Sequence, residues 1–331
     1  MANGTLKVGF IGFGKFSHVR LAILQKDPRV VIAGFYDPHV EIGHEEIQKY
    51  DDLDVMLGKV EAVVISVPPA QAPDYVIRCL AKGKHTFCEK PAAINSEALR
   101  NIEPYITDNI VLGYGFNHRQ HGSVRKISEI IDSRILGDVL WMRGRYGKEV
   151  DDSYKSTWRC KPELNGGGIL IDQGIHLVDL MNEFAGGFDF ASAVLSNSYL
   201  NIEHVEDNAF VNFASKKRKI TASLHSTITQ WRYLFSLEIF LSKGSLILNG
   251  LRTNSGNYGD ELLVVKPNCI AASENVSDAE YLFEHNLSWQ YEMNEFVDAC
   301  VIGRPYKFAG YSDAVEVTRL IDLIYSSAEW V

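Results

Sequence analysis

Four groups of residues in this chain have types and spacings suited to chemistry. The first is Asp172 and His176, four positions apart in the stretch Gly166-Gly167-Gly168-Ile169-Leu170-Ile171-Asp172-Gln173-Gly174-Ile175-His176-Leu177-Val178-Asp179-Leu180. At about 100° per residue, a helix would carry Asp172, His176, Asp179 and Glu183 along one narrow stripe. Leu170, Ile171, Ile175, Leu177, Val178, Leu180 and Met181 would cover most of the remainder, which predicts a helix buried on nearly all sides. Two readings of the stripe are open. It is a salt-bridged or partly solvated face, or it is a catalytic pair in which the His176 imidazole accepts a proton with Asp172 beside it.

The second group is Gly12-Phe13-Gly14-Lys15-Phe16-Ser17, directly after the apolar run Leu6-Lys7-Val8-Gly9-Phe10-Ile11. Glycine at 12 permits a tight turn, and glycine at 14 lets a pyrophosphate approach unpaired N–H groups at a helix start. Ser17 stands at the third position and is small enough for helix–strand packing. A second apolar run, Val30 to Tyr36, ends in Asp37, 25 residues beyond Gly12. A carboxylate there accepts from the adenosine ribose hydroxyls and repels a 2′-phosphate, which favours NAD over NADP. The third group is Lys90, between Glu89 and Pro91 after the run His85-Thr86-Phe87-Cys88. Proline restricts Lys90 to extended geometry and permits a cis bond. The fourth is the polar, aromatic loop from Tyr146-Gly147-Lys148 to Trp158-Arg159-Cys160-Lys161. Lys148, Tyr154, Trp158, Arg159 and Lys161 suit a sugar, with rings for C–H faces and cations for phosphate or carboxylate. Trp231 and Arg232 are candidates to join them.

These groups need elements to hold them. In the first third of the chain, apolar runs of strand length alternate with helical segments: 6–11, 30–36, 62–66, 85–88 and 110–116 against helices to Leu24, over 71–83 and over 95–105. Such alternation predicts a parallel, doubly wound sheet, which binds ligands at strand carboxyl ends. Gly12, Asp37, Ser66, Lys90 and Asn117 all fall at such ends. After a linking helix over 119–135, strands are predicted at about 137–147, 189–199, 207–215, 219–229, 233–242, 245–250 and 261–266. The alternation in Ala209-Phe210-Val211-Asn212-Phe213 is that of a one-sided antiparallel sheet. Two helices follow, at about 286–302 and 311–328. We therefore expect a dinucleotide-binding domain over 1–118 and a substrate-binding and oligomerisation domain over 119–331, built on a large, mostly antiparallel open sheet.

Composition narrows the function classes. A net charge of −9 and a pI near 5.6 argue against nucleic acid as the main partner. No window approaches the roughly 20 apolar residues of a membrane span. The first residues, Met1 to Lys7, lack a signal-peptide pattern. Cys79, Cys88, Cys160, Cys269 and Cys300 are scattered and odd in number, forming neither a disulfide framework nor a zinc spacing. A cytoplasmic protein is expected. His39 and His44 are the closest histidine pair near acids, but no established ligand motif surrounds them, and no metal is expected.

The order and spacing of these pieces resemble the Gfo/Idh/MocA family of glucose–fructose oxidoreductase and inositol dehydrogenase relatives. The resemblance rests on the Gly12–Ser17 loop, Asp37, Cys88-Glu89-Lys90-Pro91, Asn117-His118-Arg119 and Asp172-x-x-x-His176, and it spans nearly the whole chain. It implies an N-terminal Rossmann domain, with Lys90, Asp172 and His176 beside the nicotinamide as the catalytic group. With the strand-end argument it gives cofactor contacts from Gly12, Phe13, Gly14, Lys15, Phe16, Asp37, Ser66, Val67, Pro68, Glu89, Lys90 and Asn117. Substrate contacts are expected from Lys90, Arg119, Lys148, Trp158, Arg159, Asp172 and His176. The expected activity is hydride transfer between a sugar or polyol secondary alcohol and NAD, on a nucleotide-activated or acidic sugar of surface-polysaccharide metabolism. Inositol or a free aldose, and a cofactor-binding regulator without turnover, are the alternatives. Either Lys90 or His176 can serve as the main base. The resemblance also implies a homodimer or homotetramer formed through the C-terminal sheet. The chain departs from its relatives in two places. The loop after the third strand reads Val67-Pro68-Pro69-Ala70-Gln71-Ala72 where relatives commonly have T-P-N-x-x-H, and His118 stands where tyrosine is frequent.

Overall fold

The computed structural model describes residues 5–40, 47–253 and 258–331. They divide into two compact units, one of residues up to Asn117 with Trp289–Thr318, the other of His118–Ser288 with Arg319–Val331. His44 and part of the predicted loop from Gly250 to Gly259 lie outside the described residues.

The first unit is a six-stranded sheet. Its strands are β1 (Leu6–Ile11), β2 (Val30–Tyr36), β3 (Lys49–Tyr50), β4 (Ala62–Ile65), β5 (His85–Glu89) and β6 (Leu112–Gly115). They lie in the order β3-β2-β1-β4-β5-β6, with every neighbouring pair parallel. This is the doubly wound order in which the chain reverses direction beside β1 and β4. Helices α1 (Lys15–Leu24), α2 (Leu53–Leu57), α3 (Ala72–Ala81) and α4 (Ser96–Arg100) provide the crossovers. β4 is buried at all four positions, as the unbroken apolar run Ala62-Val63-Val64-Ile65 requires of a central parallel strand. The core joins Val8, Phe10, Phe35, Val64 and Phe87 to Met293, Phe296, Val297 and Cys300, which arrive from far along the chain.

The second unit begins with a tight turn over Asn117–Gln120 and helix α5 (Gly122–Ser133). Its nine strands are β7 (Val139–Gly147), β8 (Phe190–Ser196), β9 (Asn208–Ser215), β10 (Ile220–Thr227), β11 (Leu234–Leu241), β12 (Gly244–Asn249), β13 (Glu261–Pro267), β14 (Ala279–Phe283) and β15 (Ala328–Trp330). The order is β14-β13-β12-β11-β7-β10-β9-β8-β15. All pairs are antiparallel except β7 with β10 and β8 with β15. Helices α6 (Pro162–Asn165), α7 (Ile175–Ala185), α8 (Cys269–Ser273), α9 (Ser288–Ile302) and α10 (Tyr311–Ser326) complete the described chain.

Helix α7 lies on β7 and β10. Gly144 of β7 makes this approach possible, since a Cβ there would meet Leu177 at 3.0 Å and the Met181 methyl closer still. Every residue from Gly167 to Met181 is buried, as the apolar coverage predicted. The uniform helical stripe does not hold, however. Leu170–Gly174 is a π-turn that precedes α7, so Asp172 is rotated away from the regular line through His176 and Asp179. A single wide turn of this kind is common at functional sites.

Candidate active site

In the first unit, the glycine loop is built for close approach. Gly12 has φ +77°, and a Cβ on it would collide with the Ser66 carbonyl. Gly12 N–H donates to the Tyr36 carbonyl at 2.9 Å, and Ser17 Oγ donates to the Gly12 carbonyl at 2.5 Å. Gly14, by contrast, faces open space within 4 Å. It caps the ten-residue helix α1 with no side-chain acceptor, leaving the first N–H groups of that helix for an anion. Asp37 Oδ2 accepts from Phe13 N–H at 2.7 Å and Oδ1 accepts from His39 N–H at 2.8 Å. Each oxygen retains lone-pair capacity for a ribose hydroxyl. Ser66 Oγ is buried at the end of β4 without a hydrogen-bond partner, and Val67 and Pro68 follow it half-buried. This set fits a dinucleotide: an open glycine, free helix-start donors, a ribose acceptor and an orphaned hydroxyl.

The other first-unit candidates differ in what their side chains offer. Phe13 is buried and stacks on Phe35 at 3.9 Å, with its N–H on Asp37. Lys15 is exposed, and Phe16 is exposed over Trp289. Lys90 is half-buried just past β5, and the Lys90–Pro91 bond is cis. The Glu89 carboxylate pairs with the fully buried Arg20 at 2.8 Å. Arg20 also reaches Glu292 at 2.7 Å and lies over the rings of Phe87 and Trp289. Asn117 is buried beyond β6.

In the second unit, Asp172 gathers the loop that sequence reading proposed for substrate. Its Oδ1 accepts from Arg159 Nε at 3.1 Å, and its Oδ2 accepts from Lys148 Nζ at 3.3 Å and the Tyr154 hydroxyl at 3.4 Å. Burial, reinforced by the Asp172 charge, pushes the Tyr154 phenol up, so it stays protonated and donates. Lys148 lies over the Tyr154 ring and Arg159 over Trp158. Two cations thus meet one carboxylate. Trp231 is exposed against Tyr199, and Lys161 and Arg232 are exposed. Arg119 makes a two-pronged bond to Asp179, at 2.9 and 2.5 Å, and reaches Glu183 at 3.2 Å. The far half of the predicted acidic stripe is therefore an ion-paired face, and its near half is the Asp172 cluster.

His176 lies against groups that sequence reading did not single out as site residues. His118 stacks on it, and Tyr146 and Tyr258 stand behind His118. Glu206 was also missed. Its carboxylate accepts from Gly168 N–H and Leu170 N–H, both at 2.8 Å, and from the Tyr325 hydroxyl at 3.0 Å. Its own carbonyl takes Ile169 N–H at 2.9 Å. The substitution of histidine for tyrosine at 118 was the one visible signal. Nothing near Glu206 in sequence marks it. Among the described residues no three metal-ligating side chains gather into a site, and no helix is long and apolar enough to cross a membrane.

Residues 6–108 match the family described as "Oxidoreductase family, NAD-binding Rossmann fold", and residues 124–247 match the GFO/IDH/MocA C-terminal domain. The chain belongs to the Gfo/Idh/MocA oxidoreductase family. Within it, this chain is 24% identical to myo-inositol 2-dehydrogenase of Thermotoga maritima over 77% of its length and 79% of that relative's. It is 30% identical to levoglucosan dehydrogenase of Pseudarthrobacter phenanthrenivorans, over 41% of this chain and 36% of that one. Among solved structures, UDP-N-acetylglucosamine 3-dehydrogenase of Acidithiobacillus ferrooxidans shares the fold, with a TM-score of 0.81 at 16% identity and 98% of both chains covered. The Gfo/Idh/MocA assignment gives the glycine loop its ligand class, NAD, and makes the chain an oxidoreductase.

Proposed function

We propose that this oxidoreductase moves a hydride between NAD and a secondary alcohol of a sugar that carries a negative group, either a uronate or a nucleotide diphosphate. The carrying observation is the Asp172 cluster: Lys148 and Arg159 against one carboxylate leave one net positive charge there. Arginine and lysine at such a point bind carboxylate or phosphate oxygens. The surrounding rings of Tyr154 and Trp158 suit the C–H faces of a pyranose.

NAD, when bound, supplies the hydride acceptor. Gly12, Gly14 and the start of α1 hold its phosphates, and Asp37 holds its adenosine ribose. His176 accepts the hydroxyl proton, since imidazole exchanges protons near neutrality. Lys90 donates a hydrogen bond to the alcohol oxygen and favours the negative charge that develops there. Asp172 orients neighbouring substrate hydroxyls while holding Lys148 and Arg159. The reading extends to surface-polysaccharide metabolism in the cytoplasm and to a homodimer or homotetramer. The breadth of the match to myo-inositol 2-dehydrogenase favours a neutral cyclitol as the second reading.

The test is NAD reduction, followed at the nicotinamide absorbance, with UDP-N-acetylglucosamine, a UDP-uronate, free glucuronate, glucose and myo-inositol. Turnover confined to the anionic members supports the proposal, and preference for myo-inositol replaces it with the second reading. His176→Ala and Lys90→Ala should each lower kcat by about 10²-fold or more, with NADH affinity by fluorescence unchanged. Near-wild-type rates in both variants would remove the assignment.

A further inference from the structure

His118 and His176 form a stacked pair inside the second unit. Their ring centroids are 3.6 Å apart and their planes 17° from parallel. They are 5% and 6% exposed, so water screens them little. His118 stands on the turn Asn117–Gln120, and His176 on α7. His118 Nε2 lies 2.9 Å from the Tyr146 hydroxyl. Burial first, and then the nearby Tyr258 phenol, push the Tyr146 phenol well up, so it keeps its proton. Tyr258 accepts from Gln173 Nε2 at 3.3 Å.

We propose that His118 is a positioning residue for the proton transfer, and that the two stacked imidazoles share a single proton. Two like charges at this separation in a buried setting push successive titrations apart by more than one pH unit. A neutral ring face over a charged ring is attractive instead. The pair therefore takes one proton readily and a second with difficulty. Tyr146 on β7 and Tyr258 are neutral phenols, and Phe235 on β11 is apolar. His121, 5.4 Å from His118, is paired with Glu261 of β13 at 2.9 Å. Along the helix of His176, Asp179 is paired with Arg119, and Asp172 is held by Lys148, Arg159 and Tyr154. His176 can accept the proton of an alcohol only while His118 is neutral, so His118 sets the lower pH limit of the reaction. The kinetic part rests on His176 being the proton acceptor; the shared proton does not.

The test is a titration of the full chain, labelled with ¹³C in its histidine rings, between pH 5 and 9. In the wild-type protein the two rings should titrate at one common midpoint, with fractional amplitudes that together account for one proton. In His118→Phe, which keeps a flat ring on His176 but removes its nitrogens, His176 should titrate with full amplitude. His118→Gln keeps a hydrogen-bonding group toward Tyr146 and should behave alike. With NAD and either UDP-N-acetylglucosamine or myo-inositol as the alcohol, the acid limb of kcat/KM in both variants should move to lower pH. The shift is about 0.3 unit if the rings share the proton equally, and larger if His118 holds most of it. Full protonation of both wild-type rings above pH 5, or His176 amplitudes unchanged in both variants, would overturn the inference. Shared titration in a chain that oxidises no sugar would keep it and end the enzymatic reading alone.

Discussion

At the scale of single residues, Asp172 ties the substrate loop of the second unit together. It is 7% exposed and accepts from three donors on the 148–159 loop. Removing one member of such a buried ionic group leaves the others uncompensated, which commonly costs about 3–5 kcal/mol. Asp172→Asn keeps the shape and one acceptor oxygen, but it leaves Lys148 and Arg159 facing each other without a carboxylate. We expect kcat/KM for an anionic sugar to fall by about 10²-fold, with NADH affinity unchanged. Arg159→Ala should act on KM more than on kcat, by about tenfold for an anionic sugar and little for myo-inositol. Steady-state kinetics with the two classes of alcohol separates these outcomes, and equal effects on both classes would argue against a charge-reading role.

At the scale of elements, the start of the π-turn and α7 is set by Glu206. Three consecutive N–H groups, of Gly168, Ile169 and Leu170, end on its side chain or carbonyl. The Gly168 carbonyl in turn accepts Asp172 N–H at 3.1 Å, so the clamp fixes the axial position of Asp172. The glycine run is explained by the same contacts: a Cβ on Gly167 would strike the Tyr325 hydroxyl, and one on Gly168 the Glu206 backbone. Burial pushes Glu206 up to about 7 despite its donors. A carboxyl whose folded pKa lies above its unfolded value near 4.5 binds more protons when folded between those limits. Its contribution to stability is therefore largest below about pH 4.5 and falls as pH rises to about 7, by roughly 3 kcal/mol. Glu206→Gln has no such titration. The difference in melting temperature between wild type and Glu206→Gln should thus shift against the wild type from pH 5 to pH 8, and a constant difference would show that Glu206 is ionised throughout. The sequence displayed the glycine run, the buried helix and the Asp172–His176 spacing because these are local patterns. It hid the π-turn, since a run of apolar residues fits either winding, and it hid Glu206, which meets the run from 36 positions away.

For the whole molecule, the alternating first third was legible because buried parallel strands are continuous apolar runs, and seven strands of the second sheet were legible from alternation or length. β14 and β15 were not, one reading Ala-Glu-Tyr-Leu-Phe at a sheet edge and the other only three residues long, nor was the two-residue edge strand β3 of the first sheet. The membership of Trp289–Thr318 in the first unit was also hidden, because Phe296 and Met293 carry no mark of which core they join. The outer face of the nine-stranded sheet shows a patterning that register makes clear. Val194, Phe210, His225, Arg145 and Ser236 form one row across β8, β9, β10, β7 and β11, and Phe190, Ala214, Thr221, Trp141 and Phe240 form another. Between them runs a polar row of Ser192, Asn212, Ser223, Arg143 and Glu238, whose last two members pair at 2.7 Å. Phe210 is 55% exposed and stacks on His225, and Trp141 stacks on Phe240. Exposed aromatic and aliphatic side chains in the two outer rows, set beside polar ones, match the composition of a subunit interface. The proposed homodimer or homotetramer would bury this face, and Phe210→Glu would place an unpaired carboxylate there. Light scattering on the eluting protein should then report the mass of one chain for Phe210→Glu and a multiple of it for the wild type. A wild-type protein that elutes as a single chain at tens of micromolar would exclude the sheet as an assembly surface.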